Sequence, residues 1–221
     1  MIINCYEINP YADLINANLS NADLINANLS NADLIKADLS NANLREADLR
    51  DADLREADLR EADLSNAKLR YANLRDANLS NANLSNANLR DANLRDANLS
   101  NANLRGTDLR EADLREADLR EADLREADLR EADLRDADLS NANLSNANLK
   151  RVIGNNKEVK TLQLGKYLTI ITKDIIAIGC KQYTVAEWKN FTNDEISKMD
   201  ENALTWWNNW KEFIFKVQET C

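Results

Sequence analysis

Acidic side chains have the greatest capacity for chemistry in this sequence. The chain carries 38 Asp and Glu residues and no His, and paired carboxylates can act as general acid and base. Ser-His-Asp and Cys-His catalysis and His-containing zinc sites are excluded, because each needs an imidazole. The carboxylates recur at fixed spacing along the chain, so carboxylate pairs arise everywhere and mark no single place. We therefore predict a protein that is not an enzyme, with no catalytic residue, cofactor or metal site.

The cysteines and the apolar segments indicate in which cellular compartment the protein is expected. The three cysteines are Cys5, Cys180 and Cys221. An odd number without C-x-x-C spacing favours free thiols in a reducing cytosol, so we expect a cytoplasmic protein. The longest apolar stretch, 168–180, is interrupted by Lys173 and Asp174, which excludes a membrane span. The N-terminus has neither a basic region nor a long apolar region, so no signal peptide is predicted.

A five-residue repeat occupies most of the chain. Leu recurs at every fifth position from Leu14 to Leu149, which makes 28 pentads over residues 12–151. Ala lies two positions before each Leu except at Thr107, and Asp or Asn lies one position before except at Lys68. A period of five leaves no buried stripe on an α-helix and switches faces on a strand at every repeat. The spacing therefore predicts that the chain bends once per pentad, with Ala and Leu inside an all-β solenoid.

The tandem pattern A-(D/N)-L-x-x resembles the pentapeptide-repeat family. The resemblance implies a right-handed quadrilateral β-helix; both the hand and the four-sided cross-section come from it. Four pentads to a coil make 28 pentads about seven coils. Such a stack is cooperative along its length, because each coil contacts only its neighbours.

The sequence predicts three segments: an N-terminal cap at 1–11, the β-helix at 12–151, and a small α/β module at 152–221. In the module, β-branched residues predict a cap of short strands at 159–164, 167–172 and 175–179. The module resembles a tail that follows pentapeptide repeats in some phage and bacterial proteins.

Short helices are predicted to follow these strands. The capping box Thr184-x-x-Glu187 predicts one helix, Thr192 or Asn193 caps a second, and Asp200 precedes a third that runs to about Val217. One face of the third helix carries apolar residues at helical spacing: Ala203, Trp206 or Trp207, Trp210, Phe213 and Val217. This face either packs a small core with Trp188, Phe191 and Met199 or binds a partner through its tryptophans.

The charges of the predicted β-helix form a pattern. The whole chain has a net charge of −10, and the pentads contribute 19 basic and 28 acidic residues, a net −9. Residues 20 apart should stack, which predicts two basic ladders: Arg50, Arg70, Arg90, Arg110, Arg130 and Lys150, and Arg55, Arg75, Arg95, Arg115 and Arg135. The position before Leu is Asn throughout 73–103 and Asp throughout 48–63 and 108–138. We therefore expect two acidic bands beside a more neutral Asn/Ser belt, and no direct binding of nucleic acid.

Four outward residues of the repeat are candidate contacts. Ile15, Ile25 and Ile35 are apolar at an outward position, and Ile15 and Ile35, which are 20 residues apart, should stack on one face of the first two coils. Either the N-terminal segment covers them or they form a self-association patch. The chain is accordingly a monomer or a homodimer. Tyr71 is the aromatic residue that the pattern places outside. Gly106-Thr107 predicts a slight local distortion.

The sequence leaves four functions open. The first is a non-catalytic scaffold: a rigid acidic rod that binds an unidentified protein partner. The second is a DNA mimic that inhibits or protects DNA gyrase or a related topoisomerase, which resemblance to the quinolone-resistance members implies. The third is a phage-derived accessory protein that binds through its tail. The fourth, ice binding, needs outward Thr arrays that the repeat lacks.

Overall fold

The computed structural model describes residues 2–221. The chain divides into two compact units, Met1–Ile153 and Gly154–Cys221. The repeat lies in the first unit, and all the helices described lie in the second.

The first unit is a β-solenoid whose coils pair in parallel. The residue before each Leu forms a bridge with the residue 20 positions later, from Asp13–Asp33 at the start to Asp133–Ile153 at the end. Hydrogen bonds follow the same register; the Leu79 amide, for example, donates to the Asn98 carbonyl at 2.7 Å. One turn of the coil therefore takes four pentads. Residues 20 apart lie above one another, and we call each such set a column.

Alanine and leucine fill the inside of the solenoid. The leucines from Leu19 to Leu134 are completely buried. Thr107, which replaces Ala once, is buried as well, and its Oγ1 donates to the Leu84 carbonyl at 2.9 Å. The bridge of Asp108 to Asp128 keeps the common register there. The expected distortion at Gly106-Thr107 is thus absorbed by one extra hydrogen bond.

Each corner of the coil needs a left-handed residue. The second residue after Leu has a positive φ throughout the repeat, as at Asn81 with 60°. The residue before Leu stabilises the corner, since its side-chain oxygen accepts from the amide two positions on; Asn78 Oδ1 accepts from Ser80 N at 3.1 Å. Asn and Asp suit both positions, because they tolerate the left-handed region and form such turns.

The corner geometry predicts a position-specific cost. Asn81→Ile is expected to lower the free energy of unfolding by about 1–2 kcal/mol, because a β-branched residue is strained at positive φ. The matched control is Ser80→Ile, one residue away, at the pentad position where Ile15, Ile25 and Ile35 already occur. The control should change stability by less than about 0.5 kcal/mol. Urea unfolding followed by circular dichroism measures both, and equal losses would contradict the corner argument.

A short hairpin precedes the first coil. Strands β1 (Ile2–Ile3) and β2 (Tyr6–Glu7) pair antiparallel. The Tyr6 hydroxyl accepts from Asn18 N at 3.3 Å, and Asn4 Nδ2 donates to Asn18 O at 3.2 Å. One coil further on, the equivalent amide, that of Asp38, donates to the carbonyl of Ala17 in the preceding coil. The hairpin therefore satisfies backbone groups that the first coil leaves open.

The second unit pairs a sheet with three helices. Its strands are β3 (Lys160–Leu164), β4 (Tyr167–Ile171), β5 (Ile175–Ile178) and β6 (Lys181–Thr184), antiparallel in that order. Its helices are α1 (Val185–Asn190), α2 (Asn193–Ser197) and α3 (Ala203–Gln218). Capping boxes at Thr184 and Thr192 begin α1 and α2. The sequence did not predict β6, because this strand is polar and half-buried.

The third helix turns a different face inward than the spacing predicted. Trp207 and Ile214 are buried, whereas Phe213 is 45% exposed. Asn202, not Asp200, precedes the helix. Asp200 instead pairs with Lys166 at 2.8 Å. The predicted face was wrong at Phe213, because the sheet and Trp188 fix the rotation of α3 about its axis.

Candidate functional site

Arginine side chains on the solenoid pair with carboxylates in two ways. Where Asp precedes Leu, the arginine after Leu binds that Asp in the same pentad. Arg115 is typical: its Nε and Nη2 donate to Asp113 at 2.8 and 2.5 Å. The same pairing occurs at Arg50, Arg55, Arg60, Arg110, Arg120, Arg125, Arg130 and Arg135. The hydrogen bond from Arg115 holds the pKa of Asp113 below its usual value.

Where Asn precedes Leu, three arginines, Arg90, Arg95 and Arg105, bind a glutamate of the next coil. Arg90 binds Glu111 at 2.6 Å, and Arg95 binds Glu116 at 2.5 Å. Neutral Asn offers no carboxylate, and the Arg90 guanidinium lies between Asp91 of its own pentad at 3.4 Å and Glu111 of the next coil. The residue before Leu thus changes which carboxylate is the nearest partner of the arginine.

The solenoid carries its charge in three zones. The N-terminal band, residues 12–63, has 5 basic and 12 acidic side chains, a net −7. The C-terminal band, residues 107–151, has 8 basic and 13 acidic side chains, a net −5. The belt between them, residues 64–106, has 6 basic and 3 acidic side chains, a net +3. Over the predicted Asn/Ser belt, residues 73–103, three basic and three acidic side chains cancel, as expected; the positive charge of the wider stretch comes from Lys68, Arg70 and Arg105.

Three of the six cations of the belt lie close together in the sequence. Lys68, Arg70 and Arg75 lie within eight residues and flank Tyr71, whose ring is 50% exposed. The Arg70 guanidinium carbon lies 4.4 Å from the centroid of the Tyr71 ring. We call Lys68, Arg70, Tyr71 and Arg75 the basic patch.

The predicted isoleucine patch is divided between two sides. Ile15 and Ile35 share a column, whereas Ile25 lies two pentads, or half a coil, away from each. Ile15 is 45% exposed, and the other two are half-buried. The N-terminal hairpin bonds to Asn18 rather than covering Ile15. Tyr11, which the sequence analysis did not single out, is 76% exposed.

The predicted tail residues occupy three environments. Trp207 is buried and lies 5.1 Å from Trp188, ring centroid to centroid. Trp206 is half-buried, and its Nε1 donates to the Leu164 carbonyl at 2.7 Å. Trp210 is half-buried and packs on the edge of Phe213. The structure therefore places Trp207 in the core and leaves Trp206 and Trp210 partly accessible.

A small cleft opens within the second unit. Its walls include Tyr167, Trp188, Met199, Asp200 and Trp206. The ion pair with Lys166 lowers the pKa of Asp200 to about 2. The Lys166 ammonium also lies 4.7 Å from the centroid of the Tyr167 ring. Lys166 therefore contacts both Asp200 and Tyr167.

Metal, membrane and cysteine features can be stated for residues 2–221. No group of three or more Cys, Asp or Glu side chains in this range is arranged to hold a metal ion. Of the helices in this range, none is long and apolar enough to cross a membrane. The three cysteines are free thiols; Cys5 and Cys180 are exposed and Cys221 is half-buried.

The fold and its surface define a class: a tandem-pentad β-solenoid with a patterned charged exterior. The family model for pentapeptide repeats matches residues 12–51, 47–86, 72–111 and 112–151. The chain belongs to the pentapeptide repeat family, and its solenoid is the right-handed quadrilateral β-helix of that family. The match ends at residue 151, so the tail resemblance stays a prediction. A search of curated proteins finds no match.

Solved structures of pentapeptide repeat proteins resemble parts of the chain. Rfr23 from the cyanobacterium Cyanothece 51142 is 39% identical over 39% of this chain and 59% of its own, with a TM-score of 0.39. HetL from Nostoc sp. strain PCC 7120, which is involved in heterocyst differentiation regulation, is 35% identical over 67% of this chain and 90% of its own, with a TM-score of 0.27. Full-length QnrB1, a plasmid-mediated fluoroquinolone resistance protein, is 21% identical over 62% of this chain and 79% of its own, with a TM-score of 0.29. The match to Rfr23 spans less than two thirds of that chain.

Proposed function

We propose that this protein is a non-catalytic scaffold that binds a protein partner on the outside of its β-helix of about seven coils. The unbroken 20-residue register from Asp13 to Ile153 carries the proposal. It holds outward side chains in straight columns, so the surface is ordered before any partner arrives. Such preorganisation lowers the entropy that binding must overcome.

The charge zones give this surface specificity. A partner meets a net −7, a net +3 and a net −5 in sequence along the solenoid. Complementary charge mainly sets the choice of partner and the rate of encounter, and like charge excludes other proteins. The three zones therefore select a partner of matching pattern rather than any charged protein.

Affinity capture with the full-length protein tests the proposal. Three variants are compared. Each replaces three cations of one zone by neutral residues, so the change in net charge is the same in all three. The N-terminal band variant is Arg50→Ser, Arg55→Ser and Arg60→Ser; the belt variant is Lys68→Asn, Arg70→Ser and Arg75→Ser; the C-terminal band variant is Arg120→Ser, Arg125→Ser and Arg135→Ser. Ser and Asn already occur at these pentad positions, so circular dichroism should be unchanged. A protein from the source cell that the wild type retains and one variant loses supports the scaffold. A partner retained equally by all three, or no partner, overturns it.

The second candidate function is mimicry of DNA, the substrate of gyrase. The acidic bands favour it, because they present the charge sign of a DNA backbone. A duplex carries one negative charge per about 1.7 Å of axis without a break, whereas the belt reverses the sign in the middle of the solenoid. Inhibition of gyrase supercoiling by the full-length protein, retained in the belt variant, is the outcome that DNA mimicry predicts.

A further inference from the structure

Lys68 breaks the structural rule of the repeat. The residue before Leu is Asp or Asn in 27 of the 28 pentads. Its side-chain oxygen accepts from the backbone amide two positions on, as Asn73 does from Arg75 at 3.3 Å. A lysine ammonium only donates hydrogen bonds, so Lys68 cannot serve the Arg70 amide in this way. Local rules are typically broken where function requires another residue.

The cations near Lys68 are poorly neutralised. The Lys68 charge helps to lower the pKa of Asp48, but Asp48 is bound by Arg50 at 2.6 Å, and within residues 2–221 the Lys68 ammonium forms no close ion pair. Arg70 reaches Asp91 only at 3.5 Å, and Arg75 reaches Asp76 at 3.3 Å. The band arginines that follow Asp-Leu, such as Arg60 and Arg120, lie 2.5–2.6 Å from the aspartate of their own pentad. The cations of the basic patch are therefore neutralised at longer distances than these arginines.

The carboxylates beside the patch are shared. Asp91 lies 3.5 Å from Arg70 and 3.4 Å from Arg90. Asp96 lies 3.7 Å from Arg75 and 3.4 Å from Arg95. Arg90 and Arg95 have second partners in Glu111 and Glu116, whereas the carboxylate beside Arg70 is the shared Asp91. An added carboxylate would therefore find donors at Arg70 and Lys68.

We propose that the basic patch of Lys68, Arg70, Tyr71 and Arg75 binds a short acidic segment of a protein partner. The patch offers three cations and an exposed aromatic ring, which suits side-chain carboxylates beside an apolar or aromatic residue. This proposal rests on the scaffold function and names the partner chemistry that the belt selects.

The acidic bands limit the length of the segment. Coils stack at about 4.8 Å, and the coils on either side of residues 64–106 belong to the bands with net −7 and −5. A long polyanion laid along the solenoid would leave the belt and meet these bands. Nucleic acid needs a continuous run of phosphate contacts, whereas two or three carboxylates of a peptide fit within the belt.

Fluorescence anisotropy tests the patch directly. The probe is a fluorescein-labelled oligoglutamate peptide at about 0.1 M ionic strength, where the Debye length is about 10 Å. The belt variant is expected to bind the peptide roughly tenfold more weakly than the wild type, the sum of three exposed ion pairs. The C-terminal band variant has the same charge change in a different zone and should bind like the wild type. Equal losses in both variants would show a general effect of net charge and overturn the proposal.

Single substitution at Lys68 separates binding from structure. Lys68→Asn restores the common corner residue, so we expect a higher unfolding midpoint together with weaker peptide binding. A merely structural role for Lys68 predicts lower stability instead, and that result overturns the proposal.

Two other probes test the choice of occupant. Tighter binding of single-stranded oligothymidylate than of oligoglutamate would overturn the peptide assignment in favour of nucleic acid. Sedimentation velocity measures self-association. If the wild type self-associates and the belt variant does not, the patch binds a second copy of this chain and the peptide assignment is overturned. If affinity capture fails only with a band variant, the scaffold function stands and the patch assignment fails.

Discussion

Leu79→Ala is expected to lower the free energy of unfolding by about 2–5 kcal/mol. Leu79 is completely buried and stacks in one column with Leu59 and Leu99, which are also completely buried. Its amide donates to Asn98 O in the next coil at 2.7 Å. The flanking leucines are held by their own ladder bonds, so they cannot move to fill the cavity.

The measurement is urea unfolding followed by circular dichroism. Ser80→Ala is the matched control, because Ser80 is the outward neighbour in the same pentad and its side chain lies outside the core. The control should change stability by less than about 0.5 kcal/mol. A loss below about 1 kcal/mol at Leu79 would show that the coils relax into the cavity, against the rigid stack that the scaffold needs.

Acidification is expected to destabilise the solenoid through its aspartates. Hydrogen bonds from arginines in the same pentad lower the pKa of Asp48, Asp58, Asp113, Asp118 and Asp123. A lowered folded-state pKa stabilises the fold above the unfolded-state pKa, which is about 3.9 for Asp. This stabilisation is lost as the pH falls from about 5 through the folded-state values.

Each of these carboxylates is partly exposed, so its contribution is about 0.2–1 kcal/mol. Five of them predict a total loss of about 1–5 kcal/mol between pH 6 and pH 2. The measurement is the urea midpoint as a function of pH.

A pair of variants isolates the arginine contribution. Arg115→Ser removes the partner of Asp113, so the acid-induced loss should become smaller. Arg45→Ser is the control: Asn43 precedes Leu44 in its pentad, so no carboxylate pair within that pentad is broken. An identical pH dependence in both variants would contradict a role for the pentad ion pairs.

The leucine spacing alone determined the solenoid. A period of five is compatible with neither a helix nor a flat strand, so a bend at each pentad was the arrangement that buried every Leu. The resemblance added the hand and the four-sided coil. The function of Asp and Asn before Leu was missed, because the turn they stabilise becomes visible only with backbone atoms.

The charge of the belt was also within reach of the sequence. Asn before Leu predicted a neutral belt, and residues 73–103 have equal numbers of cations and carboxylates; the wider stretch 64–106 contains twice as many cations as carboxylates. Only the tertiary structure showed that Arg90 binds Glu111 of the next coil and that the nearest carboxylate of Arg70 is Asp91 at 3.5 Å. Those pairings depend on side chains 20 or more residues apart, which the coil brings together.

In the second unit, sequence and tertiary structure contributed differently. The local signals at Thr184 and Thr192 fixed the start of two helices, because a capping box acts within four residues. The inward face of α3 was decided by packing: several rotations of an aromatic-rich helix satisfy helical spacing, and the sheet selects the one that buries Trp207 and Ile214. The sequence thus determined the repeat, its corners and its charges, whereas only long-range contacts decided which side chains remain unpaired on the surface.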